Sequence, residues 1–111
     1  MSGGHFDYKQ YEIDMIADGI QHELDKQGRE IPKDMRWYSE EWYDEHPDDR
    51  FYTTYSPQVQ EAMRTAVKKL REAAIYAQRI DWFLSDDDGE ESFIRRLNED
   101  LSKLPDILRY R

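Results

Sequence analysis

The sequence predicts an all-α fold, a three-helix bundle built on one long central helix, and three observations predict it. The first is an unbroken helical pattern from Ser56 to Leu84, free of Gly and Pro after Pro57. The second is a 4–3 recurrence of apolar residues along it: Val59, Met63, Ala66, Leu70, Ala73, Ala77, Ile80 and Leu84. The third is a pair of shorter helical patterns on either side, each closed by a helix stop. At 111 residues the chain makes one domain, 1–111, with a modest core.

The long helix, 57–84, has a strong start. Ser56 offers a side-chain oxygen to an orphan amide of the first turn, and Pro57 suits the first helical position. At 1.5 Å per residue it spans ~43 Å. Its apolar stripe predicts the core, with Leu70 at its centre. The same stripe is thin at Ala66, Ala73 and Ala77, so another helix can approach closely. That helix is either the chain's own or a second copy's, and with so many large aromatics to cover the expectation is a homo-oligomer.

The first helix is expected over about 7–27. Asp7 and Gln10 have capping-box spacing, with Phe6 and Tyr11 as a hydrophobic staple, and Gly28 ends it. Ile13, Ile16, Ile20 and Leu24 form its core stripe, and Tyr8, Tyr11 and Met15 a second one. The last helix is expected over about 89–104, with Phe93, Leu97, Leu101 and Leu104 facing inward, Pro105 stopping it, and Ile107, Leu108 and Tyr110 tucking back. Between the first two helices lies a long acidic, aromatic loop, 29–55. A short helix over about 33–43 and an ordered loop are both compatible with it, and FYTTY at 51–55 reads as an extended connector.

The net charge of −9 is unevenly spread. Residues 31–56 carry 7 acids and 3 bases, and 81–92 carry 6 acids and no base. Residues 57–80 reverse the sign with 5 bases against 2 acids. Binding to duplex nucleic acid is disfavoured by the total, while a small anion can still find the basic helix face. Without cysteine, disulfides and thiolate zinc sites are excluded. No apolar run suits a membrane span and the start lacks a signal-peptide core, so a cytoplasmic protein is expected.

Chemistry-bearing motifs are scarce. The acidic turn DDDGEES at 86–92 fails as a calcium loop: with Gly89 at the sixth position, Leu84 falls at the first and Arg95 at the twelfth. His5, His22 and His46 have no metal-ligand spacing, and there is no nucleophile elbow or P-loop. No metal and no cofactor is expected. Two groups remain as candidates. The pairs Trp37–Tyr38 and Trp42–Tyr43 can stack on a ligand or pack the loop onto the bundle. Arg79, Asp81 and Trp82 can bind a polar ligand or satisfy one another. With His5, Phe6 and Tyr8 at a glycine-led N-terminus, these make a candidate ligand site of His5, Phe6, Tyr8, Trp37, Trp42, Arg79, Asp81 and Trp82, if the three segments converge.

The opening SGGHFDYKQYEIDMIADGI and the later AAIYAQRIDWFLSDDDGEESFIRRLNEDL resemble small uncharacterised proteins of phage and prophage genomes that begin SGGHFDY. The resemblance covers about half the chain and implies a phage accessory protein, a class that often disarms host defence. It carries no catalytic residues. Three functional readings follow. One is a sponge that sequesters a nucleotide-derived immune signal on the aromatics, the basic helix face and Arg79. The second is an acidic inhibitor of a host defence or nucleic-acid-binding protein. The third, a small carboxylate–histidine hydrolase, rests on composition alone, and the expectation is a non-enzyme.

Overall fold

The computed structural model describes residues 6–85 and 88–109, for 106–109 the course of the helix only. Among these residues the chain is mostly helical, without strands, and has four α-helices: α1 (Gln10–Lys26), α2 (Glu40–Glu45), α3 (Pro57–Leu84) and α4 (Glu90–Arg109). Two short 3₁₀ turns, Lys33–Met35 and Pro47–Arg50, flank α2.

Helix α3 has the expected bounds, and the Ser56 hydroxyl accepts from the Val59 N–H at 3.3 Å. α1 runs antiparallel to it: Gln10 bonds Gln78 near one end, and Leu24 lines one groove with Gln60 and Arg64 near the other. α4 folds back on the C-terminal half of α3, where Phe93 packs on Phe83 with ring centroids 5.0 Å apart. α1 and α4 each pack on α3 and not on each other, so the three long helices do not close around a shared core. The molecule measures 63 × 30 × 18 Å, and its shortest dimension is less than two helix diameters of about 10–12 Å.

The buried seam of α3 is not the apolar stripe. Val67, Arg71, Ala74 and Asp81 are buried, one position along from Ala66, Leu70, Ala73 and Ile80. On a helix one position is a rotation of about 100°. Leu70, expected at the core, is half-buried, while Val59, Ala73 and Leu84 are exposed. The reason lies on α1, whose buried residues are Gln10 and Ala17. Arg71 donates to Asp14 Oδ1 at 3.0 Å and to Asp18 Oδ1 at 2.5 Å, and Gln10 donates to Gln78 at 2.8 Å and Asp81 at 3.3 Å. Once buried, these groups require partners, and directional bonds set the rotation of the two helices. The second α1 stripe, Tyr8, Tyr11 and Met15, is exposed rather than covered.

α1 also starts later than its capping box predicts. Asp7 and Tyr8 have φ of 52° and 64°, and the Lys9 N–H donates to the Phe6 carbonyl at 3.0 Å. Two successive left-handed residues under such a bond make a type I′ turn. Asp7 tolerates this conformation, whereas for Tyr8 it is strained. The turn persists because the Phe6 N–H is tied to Asp81 of α3 at 2.9 Å. Asp7 therefore sits in the turn and does not cap the helix.

α4 runs through Pro105 to Arg109 instead of stopping at Leu104. Pro105 removes one amide late in the helix, and the buried Leu97 and Leu104 hold the preceding turns on α3. The tuck-back of Ile107, Leu108 and Tyr110 lies outside the described side chains.

Gly28 ends α1 as expected, with φ 70°. A Cβ there would also lie 3.3 Å from Thr54 Oγ1. Gly28→Ala is expected to cost about 1–2 kcal/mol through the left-handed conformation alone, visible as a lower urea midpoint with an unchanged slope.

Candidate functional site

Residues 29–55 do not pack the bundle's side. They form a knob beyond the end where α1 finishes and α3 begins. Its base is a short antiparallel pairing: Gly28 N–H to the Tyr52 carbonyl at 3.0 Å, Tyr52 N–H to Arg29 at 2.9 Å, and Ile31 N–H to Arg50 at 2.7 Å. Gln27 Oε1 accepts from the Tyr55 N–H at 2.9 Å, fastening the returning strand to α1. FYTTY is thus extended, as read, and finds its partner in 28–31.

Inside the knob Tyr43 is buried, and its hydroxyl oxygen accepts from the Trp37 and Tyr38 N–H groups at 3.2 and 3.3 Å. Arg36 lies over the Tyr43 ring at 5.5 Å, donates to the Ile31 carbonyl and pairs with Glu30 at 2.7 Å. Ser39 caps α2 by accepting from Trp42 N–H, and His46 stacks on Trp42 at 3.9 Å between centroids. Short helix and ordered loop therefore both occur, in succession.

This internal bonding turns other side chains outward. Trp37 is 93% exposed, and Met35, Tyr38, Trp42 and Phe51 are exposed too. Around them Asp34, Glu41, Glu45, Asp48 and Asp49 are exposed and make no ion pair with any described residue. Arg50 and Arg36 are occupied, by Asp44 at 2.5 Å and by Glu30 with Glu40. The knob presents apolar rings in a negative field.

The other candidate residues lie elsewhere. Phe6 and Asp81 meet, through the 2.9 Å bond that pins the type I′ turn. Asp81 is 2% exposed and accepts from Gln10 as well. Arg79 donates to Asp100 of α4 at 2.6 Å and lies over the Trp82 ring at 4.8 Å, so its fork already holds α4 to α3. Tyr8 is exposed in the turn. Trp37 and Trp42 are at the opposite end of α1, whose 17 residues span about 25 Å. The structure does not bring the three segments to one place. His5, with Gly3 and Gly4, lies outside the described residues.

A groove of 480 Å³ runs between α1 and α3 beside the knob's base, lined by Gln21, Gln27, Gln60, Arg64 and Lys68 among others. Arg64 and Lys68 make no ion pair with described residues. Of the basic face read from the sequence only Arg64 and Lys68 are here: Arg71 is buried between Asp14 and Asp18, Lys69 lines another groove and Arg79 is paired with Asp100. Arg36, which shapes the knob with Tyr43, was not singled out from the sequence; Tyr43 was, as one of the aromatic pairs, but nothing local marks that its hydroxyl will take the Trp37 and Tyr38 amides. Among the described residues no helix is long and apolar enough to cross a membrane, and no three His, Asp or Glu side chains are grouped to hold a metal ion. No protein-family model matches the chain, and no curated protein or solved structure matches it.

Proposed function

We propose that this chain is a non-catalytic binding protein that engages a basic partner protein through the knob. The observation that carries this is Trp37, 93% exposed on a backbone pinned by the buried Tyr43 hydroxyl. Large exposed rings on a rigid support are the usual anchors of interfaces, because little ordering entropy is lost on docking. The surrounding carboxylates steer toward a positive surface and set a salt-sensitive association rate. With the resemblance to phage proteins, the reading becomes an acidic inhibitor of a host defence or nucleic-acid-binding protein in the bacterial cytoplasm.

The test is capture from host lysate, identification of the retained protein, and titration of it against Trp37→Ala. A hot-spot ring contributes about 2 kcal/mol or more, roughly thirty-fold in affinity. We expect that loss with an unchanged melting temperature, since Trp37 touches little of its own chain. A basic partner bound equally by Trp37→Ala, or binding insensitive to salt, overturns the reading.

The groove at Arg64 and Lys68 favours the sponge as a second reading. Its volume suits a nucleotide and two unpaired cations can hold phosphate, although Asp25 also lines it and the amides of Gln21, Gln27 and Gln60 are already bonded within the chain. Calorimetry with cyclic nucleotides and ADP-ribose derivatives separates the two, because heat lost in Arg64→Ala and kept in Trp37→Ala assigns the ligand to the groove.

A further inference from the structure

We propose that the half-covered apolar face of α1 and α3 is where a second copy of this chain packs, antiparallel, to complete a four-helix bundle. The inference concerns the bundle and is independent of what the knob binds.

The longest apolar stripe in the sequence is a face that the fold covers only in part: Ala73 is exposed, and Ala66, Leu70, Ala77 and Ile80 are half-buried. With Val67, Arg71 and Ala74 turned to α1, and Arg79 and Phe83 to α4, the stripe Ala66, Leu70, Ala73, Ala77 and Ile80 points away from both. Among the described residues only Phe6, returned by its type I′ turn, lies on it, in an open groove of 590 Å³ with Ala73, Tyr76, Ala77 and Ile80. α1 continues the face, since Phe6 and Ala77 share a second groove with Ile13. Ile16, one turn further along α1, is 56% exposed. Asp14 and Asp18 bracket Arg71, so Ile16 stands level with the middle of the stripe.

Area argues that the occupant is another copy. The chain exposes 8270 Å², whereas a compact globule of 13.5 kDa exposes roughly 6,500 Å². Its radius of gyration is 19.6 Å against about 13 Å for a compact domain of this length. Even half of that excess area reaches the ~800 Å² per partner of a standard interface. Charge argues the same way and fixes the direction. Lys69 and Glu72 edge the groove on one flank of α3, and neither has an ion pair with a described residue. In an antiparallel pair related by a twofold axis, each flank meets its own counterpart. Lys69 of one chain then faces Glu72 of the other, twice, while Ala66, Leu70, Ala73 and Ala77 interleave and the small residues allow close approach. A parallel pair would not set this flank against itself.

Sedimentation equilibrium over a concentration series tests this. The expected mass is twice 13.5 kDa at the higher concentrations. Ala73→Glu and Ile16→Glu, both at positions exposed within one chain, should keep the helical circular dichroism of the monomer and weaken the dimer about tenfold or more. Lys69→Glu should weaken it through like charges, and the double variant Lys69→Glu with Glu72→Lys should restore it. A mass of 13.5 kDa at every concentration overturns the proposal. So does a dimer indifferent to Ala73→Glu, and a charge swap that fails to rescue overturns the antiparallel packing.

Discussion

Arg71→Ala is expected to lower the stability of the fold by about 3 kcal/mol, the low end of what breaking a buried ion pair costs. Arg71 is 6% exposed and spans two helices, donating to Asp14 and Asp18 on α1. Both carboxylates are about half-exposed, so they can rehydrate when the cation goes, which keeps the loss from being larger. In a domain of this size each kcal/mol shifts the melting temperature by about 4 °C, so roughly 12 °C is expected. Arg71→Met, which keeps the aliphatic stem in the seam, should recover part of it. Burial works to lower the pKa of this guanidinium, but its bonds to Asp18 and Asp14 outweigh burial and raise it. A raised folded-state pKa stabilises below the unfolded value, and the contribution is lost only as pH climbs through the folded one. Both lie above ordinary conditions, so the gap between wild type and Arg71→Ala should be flat from about pH 6 to 9. A gap that opens or closes across that window would show that Arg71 is not the group responsible.

Asp81→Ala should cost about 2–3 kcal/mol, since it takes an acceptor from a main-chain donor and from a side-chain donor that keeps only its bond to Gln78, in a buried place. Those donors are the Phe6 N–H and Gln10 Nε2. Asp81 also sets a carboxylate near the N-terminal end of α1, where the helix dipole favours negative charge. Two readouts should move together: the melting temperature falls by roughly 8–12 °C, and limited proteolysis cuts at Phe6–Tyr8, where the strained turn loses its anchor. Asp81→Asn should lie between, because one oxygen remains to accept while the amide opposes the other donor. A variant that melts normally with its N-terminal segment still protected would show that the turn is held by something other than Asp81.

Helix α3 was legible because its signals are local: a serine cap, a proline in the first turn and no breaker in the rest of its 28 residues. The start of α1 was not, since Asp7 and Gln10 do fit a capping box and only a bond from 75 residues away overrides it. The seam shows a subtler limit. Val67, Arg71, Ala74, Gln78 and Asp81 repeat with the same 4–3 spacing as the apolar stripe, one place later. Hydrophobicity alone ranks the stripe first. The signal that could have found the seam is charge matching, with Asp14 and Asp18 one turn apart on α1 and a single arginine to meet them. Of the candidate site, the sequence showed which side chains could bind and not where they stand. Trp37 and Trp42 were legible as unusual, but their exposure depends on 28–31 pairing with 50–52. Arg79 looked available until Asp100, from another helix, was placed against it.

The knob's attachment has a consequence for how the molecule breathes. Among the described residues its ties to the bundle are the hydrogen bonds at its base, those of Tyr55 with Gln27, Glu23 and Gln60, and the cation–π contact of Lys26 with Tyr52, while α2 packs only against its own neighbouring turn. Segments joined so sparingly open as separate cooperative units, each with its own free energy. The knob's base is therefore expected to exchange its amides faster than the folded helices do. A partner that clamps it slows amide exchange in 29–55 and leaves α1, α3 and α4 exchanging as before. On the proposed reading, recognition at one end and endurance at the other are set by different residues, so substitutions should retune the first without loosening the second.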